Sequence, residues 1–110
     1  MRQHSRLTSR NLGRIEVTEA GSETPLGHVT DLSIGGLGLL VSQPLNEGTS
    51  YSLCLHVPDH RDILYQVPVE VTCRWVRRSR RRDSYEVGFS LDQPSQAFND
   101  LVAQLLPRRR

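Results

Sequence analysis

Two groups of residues in this 110-residue chain are equipped to hold a ligand, and each sets hydrogen-bonding groups at short spacing. The first is the series Arg2, Arg6, Arg10 and Arg14, in a chain whose 14 basic residues are all arginine. A guanidinium is a planar fork that grips a phosphate or a guanine edge bidentately and stacks on rings, so arginines gathered in blocks point to an anionic partner, nucleotides included. The second is Asp31-Leu32-Ser33-Ile34-Gly35-Gly36, a short polar turn between two apolar runs. A carboxylate acceptor (Asp31), a hydroxyl (Ser33) and a backbone without a side chain (Gly36) share one rim there, which a ligand can approach closely. Both have ordinary counterparts: a GC-rich genome writes arginine for lysine, and Asp31 and Ser33 suit a plain Asx or Ser turn. By composition Asp-x-Ser-x-x-Gly arises by chance in about one such chain in 25, and Arg-x-x-x-Arg about once or twice. The arginine spacing occurs six times here, so by itself it carries nothing.

Other reactive sets are weaker. Cys54, His56, Asp59 and His60 offer metal-ligand atoms, but Pro58 interrupts the run and no second ligand pair follows, so no metal is expected. Ser33 has neither a Gly-x-Ser-x-Gly elbow nor a glutamate or histidine set nearby as its base, and no enzyme activity is expected. Cys54 and Cys73 make no Cys-x-x-Cys pair and are too few for a disulfide framework, which leaves them as free thiols. Trp75, beside Arg74 and Arg77, is either a core aromatic or a platform on which a base stacks.

The elements that must position these groups follow a period of two. Residues 14–18 alternate, as do 51–57, where Tyr51, Leu53, Leu55 and Val57 share one face. Val67, Val69, Val71, Cys73 and Trp75 form the clearest apolar face, and Tyr85, Val87 and Phe89 follow an arginine-rich turn. On this pattern Cys73 faces the core and Cys54 faces away. Turn residues gather at 20–25, 43–48, 58–62 and 78–83. Short strands at this spacing predict an antiparallel barrel or sandwich, and the shortness of the chain favours a small barrel without exposed edges.

Near the end the period changes. Phe98, Leu101, Val102 and Leu105 predict one amphipathic helix, with Asp92 and Pro94 at its start and Pro107 at its stop. Arginines four apart repel on an α-helix, so the N-terminal segment is expected to be a flexible or extended arm. The chain thus divides into an arginine arm (1–12), a barrel (13–91), a helix (92–107) and a basic tail (108–110). The formal net charge of +2 hides a polarised distribution of +4, −6, +5, −4 and +3 over residues 1–14, 15–60, 61–82, 83–107 and 108–110. The apolar run around 35–41 is far shorter than the roughly 20 residues of a membrane span, and the first residues are polar and basic, so a cytoplasmic protein is expected.

Taken in order, Arg2-Gln3-His4-Ser5-Arg6, then Asp31-Leu32-Ser33-Ile34-Gly35-Gly36, then strands, Val87-Gly88-Phe89 and a terminal helix, the chain resembles the PilZ domain along essentially its whole length. Arg6 and Arg10 are a competing register for the arginine pair; Arg2 and Arg6 are preferred because the polar interval to the first strand fits the family arm. Members of that family are bacterial receptors for cyclic di-GMP. The resemblance implies an all-β fold, a six-stranded antiparallel barrel with a C-terminal α-helix, that binds the dinucleotide between the arm and the barrel's outer face. Arg2 and Arg6 would engage a phosphate or the guanine O6 and N7 edge, or stack on the base. Asp31 would accept from guanine N1 and N2, Ser33 would add a hydroxyl contact, Gly35 and Gly36 would let the backbone come near, and Trp75 would stack.

In that family the residue before the arginine motif influences whether one ligand or an intercalated pair is held, and here it is Met1. A motif that opens at the second residue is compatible with a fragment of a longer chain. Ligand binding would order the arm and create a surface for a protein partner. Two rivals stay open. One is a small RNA-binding barrel using the Arg74–Arg82 hairpin, for which an aromatic content of 5% offers few stacking platforms. The other is a ligand-free adaptor of the same fold, against which intact Arg2, Arg6, Asp31, Ser33 and Gly36 argue.

Overall fold

The computed structural model describes residues 9–81 and 83–105, and in it the alternating segments form strands. These are β1 (Glu16–Glu19), β2 (Pro25–Ser33), β3 (Gly36–Val41), β4 (Ser50–Pro58), β5 (Leu64–Arg78) and β6 (Tyr85–Leu91), followed by the helix α1 (Gln96–Leu105). The strands pair antiparallel in the order β1-β2-β3-β6-β5-β4, and the β1–β4 ladder closes the barrel. Closure removes the unpaired strand edges that a short sheet would expose. The period of two sends Val17, Leu39, Leu53, Leu55, Val67, Val71 and Val87 into the interior, all essentially without exposure. Each such side chain contributes about 1.5–3 kcal/mol of apolar burial. Cys73 is buried and Cys54 half-buried, and both are free thiols on the faces that alternation assigns.

Helix α1 carries Phe98, Leu101 and Val102 into the same apolar cluster as the inward strand residues. A closed barrel admits such a contribution only at an open end, so the helix caps the barrel. It starts later than Asp92 and Pro94 imply: Ser95 is the cap, its Oγ accepting from the Phe98 amide at 3.1 Å. Asp92 is spent on the barrel instead, its amide donating to the Glu70 carbonyl at 2.8 Å and its carboxylate accepting from the Thr72 hydroxyl at 2.7 Å. The expected stop at Pro107 and the basic tail lie outside the described residues. No helix among those residues is long and apolar enough to cross a membrane.

The N-terminal side also departs from expectation. Ser9–Arg14 forms a 3-10 helix, so residues 9–12 of the expected flexible or extended arm are folded against the barrel. At three residues per turn, residues four apart lie about 120° from each other, and the repulsion argued for an α-helix does not apply. Leu12 anchors the turn in the core at 7% exposure, the Ile15 amide donates to the Leu12 carbonyl at 2.9 Å, and Arg14 pairs with Asp62 at 2.6 Å.

Candidate ligand-binding face

Two β-bulges, one in β2 and one in β5, build the outer face that carries the sequence-predicted residues. In β2 the register shifts between Val29, opposite Leu39, and Asp31, opposite Gly38. A bulge sets two residues of one strand against one of its neighbour, and Thr30 and Asp31 accordingly both flank Gly38: a Cβ on that glycine would lie 3.2 Å from Thr30 Oγ1 and 3.5 Å from Asp31 Cβ. In β5 the register shifts between Cys73, opposite Phe89, and Trp75, opposite Gly88. This overturns the expectation that Trp75 continues the core face of Val67 to Cys73. The bulge turns its indole outward, 43% exposed, and Val76 takes the inward place.

Gly38 and Gly88 are themselves paired, so one row crosses four strands as Asp31, Gly38, Gly88 and Trp75. From β2 to β5 the row spans three strand spacings, about 14 Å. Its middle is bare backbone. The indole lies over Gly88, where an added Cβ would run into its ring, and the Arg77 guanidinium lies over the ring, 5.0 Å from its centre, while pairing with Glu86 at 2.8 Å. The next outward row runs Ser33, Gly36, Ser90 and Thr72. Gly36 is required there, because a Cβ would stand 2.7 Å from the Phe89 carbonyl oxygen.

Asp31 and Ser33 therefore occupy the last outward positions of β2 and not the turn, which is reduced to Ile34 and Gly35. Gly35 has φ of 85°, where a side chain is disfavoured, and its carbonyl accepts from the Leu91 amide at 2.9 Å. Ser33 Oγ contacts the Gly36 carbonyl at 3.5 Å, and the Asp31 carboxylate bonds no described residue. The structure thus brings together Asp31, Ser33, Gly35, Gly36 and Trp75. Arg2 and Arg6 lie outside the described residues.

Gly38, Gly88, Arg74 and Ser90 complete the face and were not singled out as site residues. Their signal lies in the spacing: Val29 to Leu32 and Cys73 to Val76 are inward pairs three apart within period-two strands, which demands one extra residue in each. Among the weaker candidates, Cys54, His56, Asp59 and His60 are not gathered into one group, and no cluster of three or more such side chains occurs among the described residues. His56 Nε2 shares a hydrogen bond with the Thr18 hydroxyl at 2.9 Å. The Asp59 carboxylate shapes its own turn by accepting from the Arg61 and Ile63 amides, and those bonds hold it below its ordinary pKa.

Comparison with known proteins agrees with the architecture. A family model described as PilZ domain matches residues 1–106. Among solved structures, the Bacillus subtilis inhibitor of motility (MotI/DgrA) is similar with a TM-score of 0.60 and 15% identity, over 83% of this chain and 42% of that one. At that identity the likeness is one of fold, and the chain spans about two fifths of that protein's length. No curated protein sequence matches the chain.

Proposed function

The chain belongs to the PilZ domain family, bacterial receptor and adaptor domains rather than enzymes, and we propose that it binds cyclic di-GMP between the Arg2 and Arg6 arm and the outer face of β2, β3, β6 and β5. The observation that carries this reading is the row Asp31–Gly38–Gly88–Trp75: an acceptor without a protein partner among the described residues at one end, an exposed indole at the other, and no side chain between them. The Asp31 carboxylate suits guanine N1–H and N2–H donors, the Ser33 hydroxyl adds a weaker contact, and a base stacks on Trp75 by taking the place of the Arg77 guanidinium over its ring. Arg2 and Arg6 bring the positive charge that two phosphates require. Cyclic di-GMP is then a ligand and not a cofactor, and the arm gathered over it forms the surface that a protein partner reads.

Calorimetric titration with cyclic di-GMP, run beside GTP and a short RNA, tests this. Saturable binding of cyclic di-GMP alone is expected, abolished by Arg2→Ala with Arg6→Ala at an unchanged thermal midpoint. Unchanged affinity in that double variant overturns the arm's role, and silence of Arg2→Ala alone transfers it to Arg6 and Arg10. Tight, salt-sensitive RNA binding would establish the rival barrel function instead.

A further inference from the structure

Successive residues of a strand point to opposite faces, yet the β5 bulge turns Arg74 and Trp75 outward side by side. Arg74 Nε donates to Ser90 Oγ at 2.7 Å, and Ser90 is the β6 partner of Gly36. The guanidinium is thereby pulled from β5 across β6, toward the bare backbone at the start of β3. Arg14 and Arg77 have carboxylate partners and Arg78 lies 6.0 Å from the Tyr85 ring centre, whereas Arg74 has no ion pair with any described residue. One of its five N–H donors is spent on holding the side chain in place, and the terminal pair remains available. Along β6, Ser90 is two residues from Gly88, the seat of the indole, a separation of about 7 Å. A base on Trp75 therefore carries its own phosphate, one ribose away, toward Arg74.

We infer that Arg74 is a third arginine of the ligand site, fixed on the barrel, and that it holds a phosphate of the bound dinucleotide beside Gly36; this rests on the reading of the face as the cyclic di-GMP site. The cation stands on the rigid wall, while Arg2 and Arg6 belong to the arm. Ser90 is its positioning residue, and Glu86 leaves it free by pairing with Arg77.

The test is titration of cyclic di-GMP into the unaltered chain, Arg74→Gln, Arg74→Lys and Ser90→Ala at several salt concentrations, with thermal midpoints and the emission of Trp75, the single tryptophan. Arg74→Gln should weaken binding about 10- to 150-fold, as loss of a charged hydrogen-bonding partner does, and make affinity less dependent on salt. Arg74→Lys should keep the salt dependence and lose part of the affinity, and Ser90→Ala should lose less than Arg74→Gln. Full affinity in Arg74→Gln overturns the inference and leaves the function standing. A loss that comes with a lowered midpoint and a shifted Trp75 emission overturns it too, by making Arg74 structural. No binding by the unaltered chain overturns the function reading and the inference together.

Discussion

The barrel has two outer faces made by the same strand alternation, and they differ in what they leave unsatisfied. On one, Gly36, Gly38 and Gly88 make a floor of bare backbone bordered by Asp31, Arg74 and Trp75. On the other, β1, β4 and β5 enclose a depression of about 590 Å³ whose lining includes Thr18, Cys54 and Pro68, with Glu16, Glu19, Glu23 and Glu70 among its carboxylates. In the depression Thr18 shares a hydrogen bond with His56 at 2.9 Å and Ser52 donates to Glu70 at 2.6 Å, while Glu16, Glu19 and Glu23 bond no described residue and leave only acceptors of one sign. Its charge also repels a phosphate ligand. The sign of the charge, with a cation at Arg74 on one face and carboxylates alone in the other, therefore separates the proposed ligand face from the groove.

The substitution expected to break this contrast most is Asp31→Ala. Removing a charged acceptor for guanine should cost about 1.5–3 kcal/mol of binding, or 10- to 150-fold in affinity, and should weaken discrimination against adenine analogues. Glu70→Ala, in the groove, should leave affinity within about twofold. Because the Asp31 carboxylate bonds no described residue, unfolding of the free variant should be almost unchanged. A stability loss equal to the binding loss would make Asp31 a structural residue of the β2 bulge. Gly88→Ala comes next. Its methyl would occupy the place of the indole, so Trp75 must leave the sheet, with a solvent-like shift in its fluorescence and an affinity loss of about tenfold. Unaltered fluorescence would mean that the indole does not rest on Gly88.

These two residues also mark what can be read from sequence. The shared rim of Asp31 and Ser33 was legible from their spacing of two, although they lie on β2 and not in the turn, and the strands were legible because inward valines and leucines repeat every second residue. The strand face of Trp75 was misread because an aromatic residue after Cys73 continues the apolar alternation, and only the inward place of Val76 reveals the extra residue of the bulge. Gly88 was noticed as part of Val87-Gly88-Phe89, but its purpose depends on an indole from the neighbouring strand, a contact that no local pattern encodes. The 3-10 helix escaped for a similar reason: Leu12 holds it to the core through tertiary packing. The cap at Ser95 was hidden behind Asp92, an equally good helix starter in isolation that the Glu70 carbonyl and Thr72 claim first.

Smaller effects sharpen the comparison. Ser33→Ala removes a neutral hydroxyl and should cost about 0.5–1.5 kcal/mol of binding, a loss visibly below that of Asp31→Ala. Equal losses would mean that the two act as one unit. Replacing Arg78, Arg80, Arg81 and Arg82 by glutamine should change cyclic di-GMP affinity by less than about twofold, since Arg78, Arg80 and Arg81 lie beyond the glycine floor. A large loss would extend the ligand face along the β5–β6 hairpin.

The smallest expected effect on ligand binding comes from the groove itself. Cys54 is the half-buried thiol in its lining, and burial raises its pKa above the ordinary value, with a backbone hydrogen bond at Val67 opposing. Cys73, enclosed in the core, is raised by burial and then by the charge of Glu47. Raised thiol pKa values mean that the folded chain holds these protons more firmly than the unfolded chain. The stability they contribute is complete below the unfolded pKa and is lost as pH rises through the folded one. Thermal midpoints should therefore fall through the alkaline range, and Cys73→Val should flatten that fall; an identical slope in the variant would remove the thiol from the account. Since the thiolate is the nucleophile, alkylation of Cys54 should be slow at neutral pH and accelerate into the alkaline range, while Cys73 reacts only on unfolding. Chain alkylated at Cys54 should bind cyclic di-GMP as the unmodified chain does, because the adduct fills the groove and leaves the glycine face open. Loss of binding on alkylation, with the thermal midpoint preserved, would move the ligand to the groove and invert the comparison.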